Sequence, residues 1–182
     1  MTNPQFPTLA NPDDQAIAKA ERLIDGHLYR LGVGIALRNH LGQVFVGQRN
    51  DNDQPSTAWQ MPQGGLDDGE SPLQALWREL KEEVGIDARH ARLVAMHPEW
   101  LHYDLTPDLI GRLWNSRYQG QCQRWFALDF IGEPHEIAIH DSTTAPAEFQ
   151  AWRWQNIDTL PDIIVAFKRD LYGQLRDWLA GL

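Results

Sequence analysis

The sequence predicts an α/β domain in which a mixed β-sheet is covered by helices on both faces. Segments that are typical of strands lie on both sides of one well-marked helix at residues 71–84, and the two before it are β-branched. A second helix is predicted at residues 163–179, where apolar residues recur with helical spacing at positions 164, 167, 171, 175 and 178. A central helix enclosed by strands and followed by a terminal helix favours a sheet with both faces covered.

The individual strands are predicted from β-branched and alternating segments separated by turns. The clearest pair, at residues 31–37 and 44–46, is joined by a predicted turn at residues 40–42. Further strands are predicted at residues 92–97, 100–105, 122–130, 136–140 and 150–154, with an irregular connection at residues 107–121. Residues 1–12 are rich in proline and asparagine and predict a loose leader, after which helical spacing predicts a short helix at residues 13–25.

Length and composition favour a single cytoplasmic domain. A chain of 182 residues is long enough for one domain with a substantial core and too short for two comfortable ones. Cys122 is the only cysteine, which excludes an internal disulfide and a cysteine-rich metal site. The N-terminal segment lacks the features of a signal peptide, and no apolar stretch approaches the roughly 18 residues that span a bilayer. We therefore expect no membrane contact and predict no stable protein partner.

The formal net charge of −9 restricts the class of ligand that we expect the protein to bind. A protein that grips long nucleic acid usually presents a basic face, which this composition does not favour. A small polyphosphate can still be bound by metal ions and a few arginines acting locally. The charge therefore favours a small nucleotide over extensive nucleic-acid contact.

The central helix carries explicit start and stop signals. Ser71 is a good N-cap, Pro72 suits the first helical position, and Gln74 completes a capping-box pattern. Gly85 is well placed to end the helix in a left-handed conformation. The helix is therefore predicted from its own local sequence.

One face of this helix is acidic. Glu79, Glu82 and Glu83 stand at i, i+3 and i+4, so their carboxylates are neighbours and repel one another. A hard divalent cation removes this repulsion, and oxygen ligands favour Mg²⁺, or Mn²⁺ in its place, over zinc. For an arbitrary Glu-x-x-Glu-Glu pattern, a solvated acidic face is the commoner explanation, and the residues around it decide between the two.

The segment from Gly64 to Ile86 resembles the signature of the Nudix hydrolases at every specified position. The matching residues are Gly64, Glu70, Arg78, Glu79, Leu80, Glu82, Glu83, Gly85 and Ile86. The resemblance implies the Nudix fold, an α/β/α arrangement, in which a loop–helix–loop holds Mg²⁺ against a diphosphate while water attacks phosphorus. Elementary chemistry agrees, because phosphoryl transfer needs charge neutralisation and in-line placement, and a metal acidifies the attacking water.

The same resemblance implies roles for the residues of this segment. Glu79, Glu82 and Glu83 are the expected metal ligands, and Gly64 lets the backbone approach the metal. Arg78 is expected to pair with a neighbouring glutamate and orient it. Glu70 is expected to support the metal ligands without binding the metal itself. All of these residues are expected to serve hydrolysis of a P–O–P bond.

The flanking segments resemble the branch of the family that contains asymmetric diadenosine tetraphosphate hydrolases and bacterial RNA 5′-pyrophosphohydrolases. The resemblance runs from about residue 29 to the C-terminus, so the Nudix domain is predicted at residues 29–182 and a leader at residues 1–28. It implies an extra metal ligand or general base at Glu136, and substrate contacts at Arg30, Arg49, Tyr103, Arg124 and Phe149, the last by stacking on a base. Leu31-Gly32 departs from the Pro-Asn that usually follows Tyr-Arg.

Structural alternatives accompany three of these roles. Phe149 flanks a predicted strand and could belong to the core, Arg124 could be an exposed strand residue, and Glu136 a solvated charge at a strand end. For the substrate, the acidic charge favours diadenosine tetraphosphate, with triphosphorylated RNA 5′ ends as the alternative. ADP-ribose or a sugar nucleotide fits the flanking motifs less well. A non-catalytic binding module is disfavoured because every glutamate of the signature is present.

Overall fold

The computed structural model describes residues 15–50, 59–139 and 147–182. It confirms the predicted class, because a nine-stranded mixed sheet has helices on both faces. The strands are β1 (Glu21–Ile24), β2 (His27–Arg38), β3 (Val44–Arg49), β4 (Trp59–Gln60), β5 (Gln63–Gly65), β6 (Ala91–Met96), β7 (Leu101–Asp104), β8 (Gly120–Phe130) and β9 (Phe149–Gln155). The helices are α1 (Pro72–Glu79), α2 (Pro107–Arg112), α3 (Leu160–Ile163) and α4 (Arg169–Ala180).

Two long parallel strands, β2 and β8, form the centre of the sheet, with Leu31 opposite Cys122 in the register. The other edge of β2 pairs antiparallel with β1, β5 and β3 in turn. The outer edge of β8 pairs antiparallel with β7 and β6, and β3 continues the sheet to β9 and β4. This arrangement brings β5, which begins the Nudix-like segment, onto the middle of the central strand.

Alternate side chains of the sheet enter two separate apolar cores. The first core lies under α1, where Leu76, Leu80 and Val84 are fully buried against the sheet. The second lies under α3 and α4, where Tyr172 and Leu175 pack against the opposite face. Each core therefore fixes one helical layer relative to the same sheet.

The predicted strands at residues 31–37, 44–46, 92–97, 100–105, 122–130 and 150–154 are confirmed, within one to a few residues at their ends. The predicted helix at residues 13–25 is wrong in its described part, because residues 21–24 form strand β1. Asp25 and Gly26 have φ angles of 49° and 82°, so they form a tight left-handed turn that pairs β1 with β2. Residues 1–14 lie outside the described residues.

The predicted strand at residues 136–140 is also wrong. Residues Pro134–Glu136 form a 3₁₀ turn capped by Glu133, residues 137–139 are not in a strand, and His140 lies outside the described residues. The predicted terminal helix begins later than expected, since α4 starts at Arg169 after α3 and a 3₁₀ turn at Ala166–Lys168. Among the residues that the structure describes, no helix has the length and apolar character needed to cross a membrane.

Candidate active site

The acidic helix begins and ends as its local sequence predicts. The Ser71 side chain accepts from the Gln74 backbone N–H, and the Gln74 side chain accepts from the Ser71 N–H, which completes the capping box. Gly85 ends the segment with a φ of 79°. Between them, α1 passes at Leu80 into a π-helical turn (Leu80–Val84), a wider turn that is often found at functional sites.

Arg78 connects three glutamates and the preceding loop. Its guanidinium donates to both carboxylate oxygens of Glu70, at 2.9 and 2.8 Å, and to Glu79 at 2.7 Å and Glu82 at 3.2 Å. It also donates to the carbonyl oxygen of Gly65 at 2.8 Å. Burial favours the protonated form of Glu70, but the hydrogen bonds from Arg78 and the Asp67 N–H lower the pKa of this carboxyl. Arg78 thus pairs with neighbouring glutamates, the arrangement that the sequence predicts, and Glu70 is the partner that it contacts through two hydrogen bonds.

The absence of a side chain at Gly64 allows the β5 backbone to lie against Glu79. A Cβ at this glycine would stand 1.9 Å from the Glu79 carboxylate carbon, far inside any allowed contact. Gly65 has the same relation to another group, because a Cβ there would stand 2.3 Å from an Arg30 nitrogen. The two glycines therefore bring one carboxylate and one guanidinium onto a single short strand.

Glu83 is the most buried carboxylate of the helix, with 6% of its surface exposed. One of its oxygens accepts from the Gln63 backbone N–H at 2.9 Å. Burial, and after it the negative charges of Glu79 and Glu148, raise the pKa of Glu83 well above its ordinary value of 4.5. Burial likewise raises the pKa of Glu79, although Arg78 opposes this. A cation bound near Glu79 and Glu83, in addition to Arg78, would offset the cost of burying their two negative charges.

A chain of buried amides supports Gln63 from the sheet side. The Gln123 side chain, which is fully buried, donates to Gln63 at 3.2 Å and to Gln121 at 2.9 Å, and accepts from the Trp125 indole N–H at 3.1 Å. Gln63 in turn is hydrogen-bonded to the phenol of Tyr103. Because each member is satisfied, this network rigidifies the backbone that holds Glu83.

An acidic residue absent from the predictions, Glu148, also faces this region. Its carboxylate forms an ion pair with Arg49, and its charge is felt by Glu83. It immediately precedes the buried Phe149 at the start of β9, and alternation along a strand points neighbouring side chains to opposite faces. That alternation was the signal available in the sequence.

Comparisons with known proteins now decide the family. A family model described as NUDIX domain matches residues 28–175. The chain belongs to the Nudix family. It is 52% identical over 153 residues to an RNA pyrophosphohydrolase of Rhodospirillum rubrum, covering 84% of this chain and 88% of that protein. It is 48% identical over 157 residues to an RNA pyrophosphohydrolase of Cereibacter sphaeroides, covering 85% of this chain and 94% of that protein.

Solved structures of other Nudix proteins share the fold at lower identity. A dihydroneopterin triphosphate pyrophosphohydrolase of E. coli superposes with a TM-score of 0.60 at 22% identity, covering 79% of this chain and 92% of that one. A C. elegans Ap4A hydrolase superposes with a TM-score of 0.58 at 20% identity, covering 84% and 98%. At these sequence identities the similarity confirms the α/β/α Nudix fold and says nothing about the substrate.

Three of the residues predicted to contact substrate lie near the Nudix glutamates. Tyr103 is buried, and burial raises the pKa of its phenol far above 10, while the positive charges of Arg49 and Arg30 oppose the shift. Both arginines therefore lie close enough to Tyr103 for their charges to affect the pKa of its phenol. Gly32, which stands where the family pattern usually has asparagine, has a structural reason. A Cβ at this position would stand 2.6 Å from the carbonyl oxygen of Gly64.

Three other predicted residues are not brought to the Nudix glutamates. Phe149 is fully buried in the first core, 6.2 Å from the ring of Phe45, which favours its structural alternative over stacking on a base. Arg124 is 4% exposed and donates to the Pro98 carbonyl at 3.0 Å on the face opposite Gln123, which does not fit a phosphate contact. Glu136 lies 3.0 Å from His90 and accepts from the Glu133 N–H, and no described contact joins it to the three box glutamates.

The Nudix glutamates fit a hard divalent cation, the kind of metal that the family uses. Glu79, Glu82 and Glu83 each leave one carboxylate oxygen without a hydrogen bond to any described residue. Oxygen donors on partly buried carboxylates suit Mg²⁺. No three metal-ligating side chains in the described part of the chain are already gathered around one point. Arg78 binds only one oxygen each of Glu79 and Glu82, so the other oxygen of each carboxylate is available to a cation.

Proposed function

We propose that this protein is a Mg²⁺-dependent RNA pyrophosphohydrolase, which hydrolyses a P–O–P bond of a triphosphorylated RNA 5′ end and removes pyrophosphate. The observation that carries the choice of substrate is the identity of about half of the residues, over more than four fifths of the chain, with relatives of that name. RNA is made and processed in the cytoplasm of bacteria such as these relatives, which supports a cytoplasmic enzyme. The substrate is the only partner that we propose.

This proposal reverses the order of the two substrates predicted from the sequence. Diadenosine tetraphosphate was preferred because of the net charge of −9, but charge limits only long-range contact with nucleic acid. A 5′-triphosphate can be held locally by a metal and by Arg30 and Arg49, without a basic track along the RNA. Diadenosine tetraphosphate remains the second candidate because it presents the same kind of bond to the same residues.

The described geometry supports distinct tasks for the box residues. Glu79, Glu82 and Glu83 would hold the cation, which when bound neutralises phosphate charge and acidifies water. Arg78 limits the rotation of Glu79 and Glu82 through its hydrogen bonds. The Gln63 N–H fixes one oxygen of Glu83, so the other oxygen faces a defined direction. Such fixed ligands preorganise the site before substrate arrives.

Proton transfer is assigned to Glu148, in place of the Glu136 predicted from the sequence. The Glu148 carboxylate lies near Glu83 and is oriented by Arg49. It would accept a proton from water as the water oxygen forms its bond to phosphorus and the bond from phosphorus to the bridging oxygen breaks. The leaving group on the other side of the bridging oxygen keeps the electron pair of the broken bond, so the products are pyrophosphate and a 5′-monophosphorylated RNA. Glu136 is engaged by His90 and the Glu133 backbone instead.

The test compares two substrates in Mg²⁺ at about 0.15 M salt, since nucleic-acid affinities depend strongly on salt. We expect kcat/KM for a 5′-triphosphorylated decanucleotide to exceed that for diadenosine tetraphosphate by about tenfold or more. The monophosphorylated RNA product, or the released inorganic pyrophosphate, is quantified to establish turnover. A preference for diadenosine tetraphosphate would contradict the proposed substrate and restore the small nucleotide to first place.

A further inference from the structure

A left-handed bend lies between α2 and β8. Trp114, Asn115 and Ser116 have φ angles of 48°, 54° and 58°, although none of them is glycine. L-residues adopt this conformation at an energetic cost, and runs of three are not expected from local preference. Strained backbone of this kind persists only where surrounding contacts fix it, and it often marks a functional site.

Two backbone hydrogen bonds and one ring contact close the bend. The Ser116 N–H donates to the Leu113 carbonyl at 2.9 Å, and the Arg117 N–H donates to the Trp114 carbonyl at 3.1 Å. The indole of Trp114 meets the Tyr118 ring edge-on at 5.9 Å. The main consequence of the bend is the direction of Trp114, whose half-buried ring lies 5.4 Å from the guanidinium carbon of Arg30.

Arg30 contacts both an aromatic ring and a glycine backbone. Its guanidinium faces Trp114, and it also lies so close to Gly65 that a Cβ there would stand 2.4 Å from its guanidinium carbon. No described residue accepts a hydrogen bond from the Arg30 side chain. By contrast, Arg78 is engaged by glutamates and Arg49 by Glu148. The Arg30 donors thus remain available to an anion.

We propose that Trp114 is a positioning residue for Arg30, holding its guanidinium against Gly65 so that its N–H groups face the 5′-phosphate chain of the substrate. This role rests on the proposed function only for the nature of that anion. A flexible arginine loses rotamer freedom when it binds phosphate, and stacking on an aromatic ring restricts it beforehand. The carbonyl oxygen of Gly65 also accepts a hydrogen bond from Arg78. Gly65 therefore contacts both the Arg30 guanidinium and the arginine that binds the box glutamates.

The first test is a series at Trp114, assayed for kcat and KM on 5′-triphosphorylated RNA. We expect Trp114→Ala to raise KM about five- to tenfold while kcat stays within twofold, since the carboxylate network is untouched. Trp114→Phe keeps an aromatic face and should restore KM to within about twofold of the wild type. Trp114→Leu keeps apolar packing without that face and should behave like Trp114→Ala even if the alanine variant folds poorly.

The second test is a double-mutant cycle with Arg30→Gln. In that background Trp114→Ala should raise KM less than twofold further, because the group that it positions is gone. Trp100→Ala is the matched control, since Arg22 stacks on Trp100 at 4.8 Å on the other face of the sheet, and its KM should not change. An equal rise in KM in both backgrounds, or no rise in the wild-type background, would overturn the positioning role.

Running the same cycle on diadenosine tetraphosphate separates this inference from the proposed substrate. Coupling between Trp114 and Arg30 on the dinucleotide, with no turnover of RNA by the wild type, would contradict the RNA substrate and retain the positioning role. RNA turnover without coupling would retain the substrate and remove the positioning role.

Discussion

Replacing Gly64 with alanine tests the contact between β5 and the Nudix helix. The new Cβ would stand 1.9 Å from the Glu79 carboxylate carbon, so this group must retreat by about 1.5 Å to reach van der Waals contact at 3.4 Å. Its 2.7 Å hydrogen bond from Arg78 cannot survive that shift unchanged. Because misplacement by about 1 Å can reduce a rate about a hundredfold, we expect kcat to fall by about two orders of magnitude.

The assay is steady-state hydrolysis of triphosphorylated RNA in Mg²⁺, with thermal unfolding measured on the same samples. Gly173→Ala is the matched control, because a Cβ at this α4 position meets nothing within 4 Å. It should leave kcat unchanged and stabilise the helix by about 0.5–1 kcal/mol. Activity of Gly64→Ala within threefold of the wild type would refute the inference that this glycine places Glu79.

Three further outcomes follow from the same geometry. Glu148→Gln should lower kcat at least a hundredfold while Glu136→Gln stays within threefold, and equal losses would return Glu136 to the site. Phe149→Ala should destabilise the protein by about 3–5 kcal/mol in a denaturant titration, as expected for a buried ring, whereas a stable variant with raised KM would support base stacking. In metal-free protein, the raised pKa of Glu83 means that its contribution to stability is full below its unfolded value of 4.5 and is lost as pH rises through the folded value. Glu83→Gln should therefore unfold at a higher temperature than the wild type at pH 8 in EDTA, with a smaller gap at pH 5; a gap independent of pH would contradict this.

The Nudix helix could be predicted because its signals are local. The capping box at Ser71 and the left-handed end at Gly85 require only neighbouring residues, and both form as expected. The pairing of Arg78 with glutamates is equally local, since Glu79 and Glu82 lie within one turn of it. The long strands β2 and β8 were also predictable, because β-branched residues (Val33 and Ile35) in the first and aromatic residues (Trp125 and Phe126) in the second favour a strand.

Contacts between distant segments were not predictable in the same way. Glu148 meets Arg49 across 99 residues, through the pairing of β3 with β9, and no local pattern marks that approach. The metal or base role of Glu136 rests on the family resemblance alone, and the strand expected around it is replaced by a 3₁₀ turn that Glu133 caps. At residues 21–24 the Asp25-Gly26 hairpin signal outweighs the helical spacing, so the segment forms strand β1.

The face of the sheet to which a side chain points was also not predictable from the sequence. Phe149 was considered for both the core and the base site, and only the packing of β9 on β3, which sets its ring against Gly47, decides for the core. Arg124 was similarly ambiguous, because alternation with Trp125 defines two faces without saying which of them carries the substrate. Periodicity therefore predicts that faces differ, and tertiary packing determines their use.

The central claim is that the box glutamates serve a divalent metal that acts on a 5′-polyphosphate. The most direct measurement is single-turnover hydrolysis of 5′-triphosphorylated RNA as a function of Mg²⁺ concentration, for the wild type and for Glu82→Gln. Glu82 is partly exposed, so its substitution should leave the melting temperature within a few degrees of the wild type. We expect a saturable Mg²⁺ dependence in the wild type and at least a hundredfold loss of rate in the variant. A folded Glu82→Gln protein whose rate stays within fivefold of the wild type would contradict the claim.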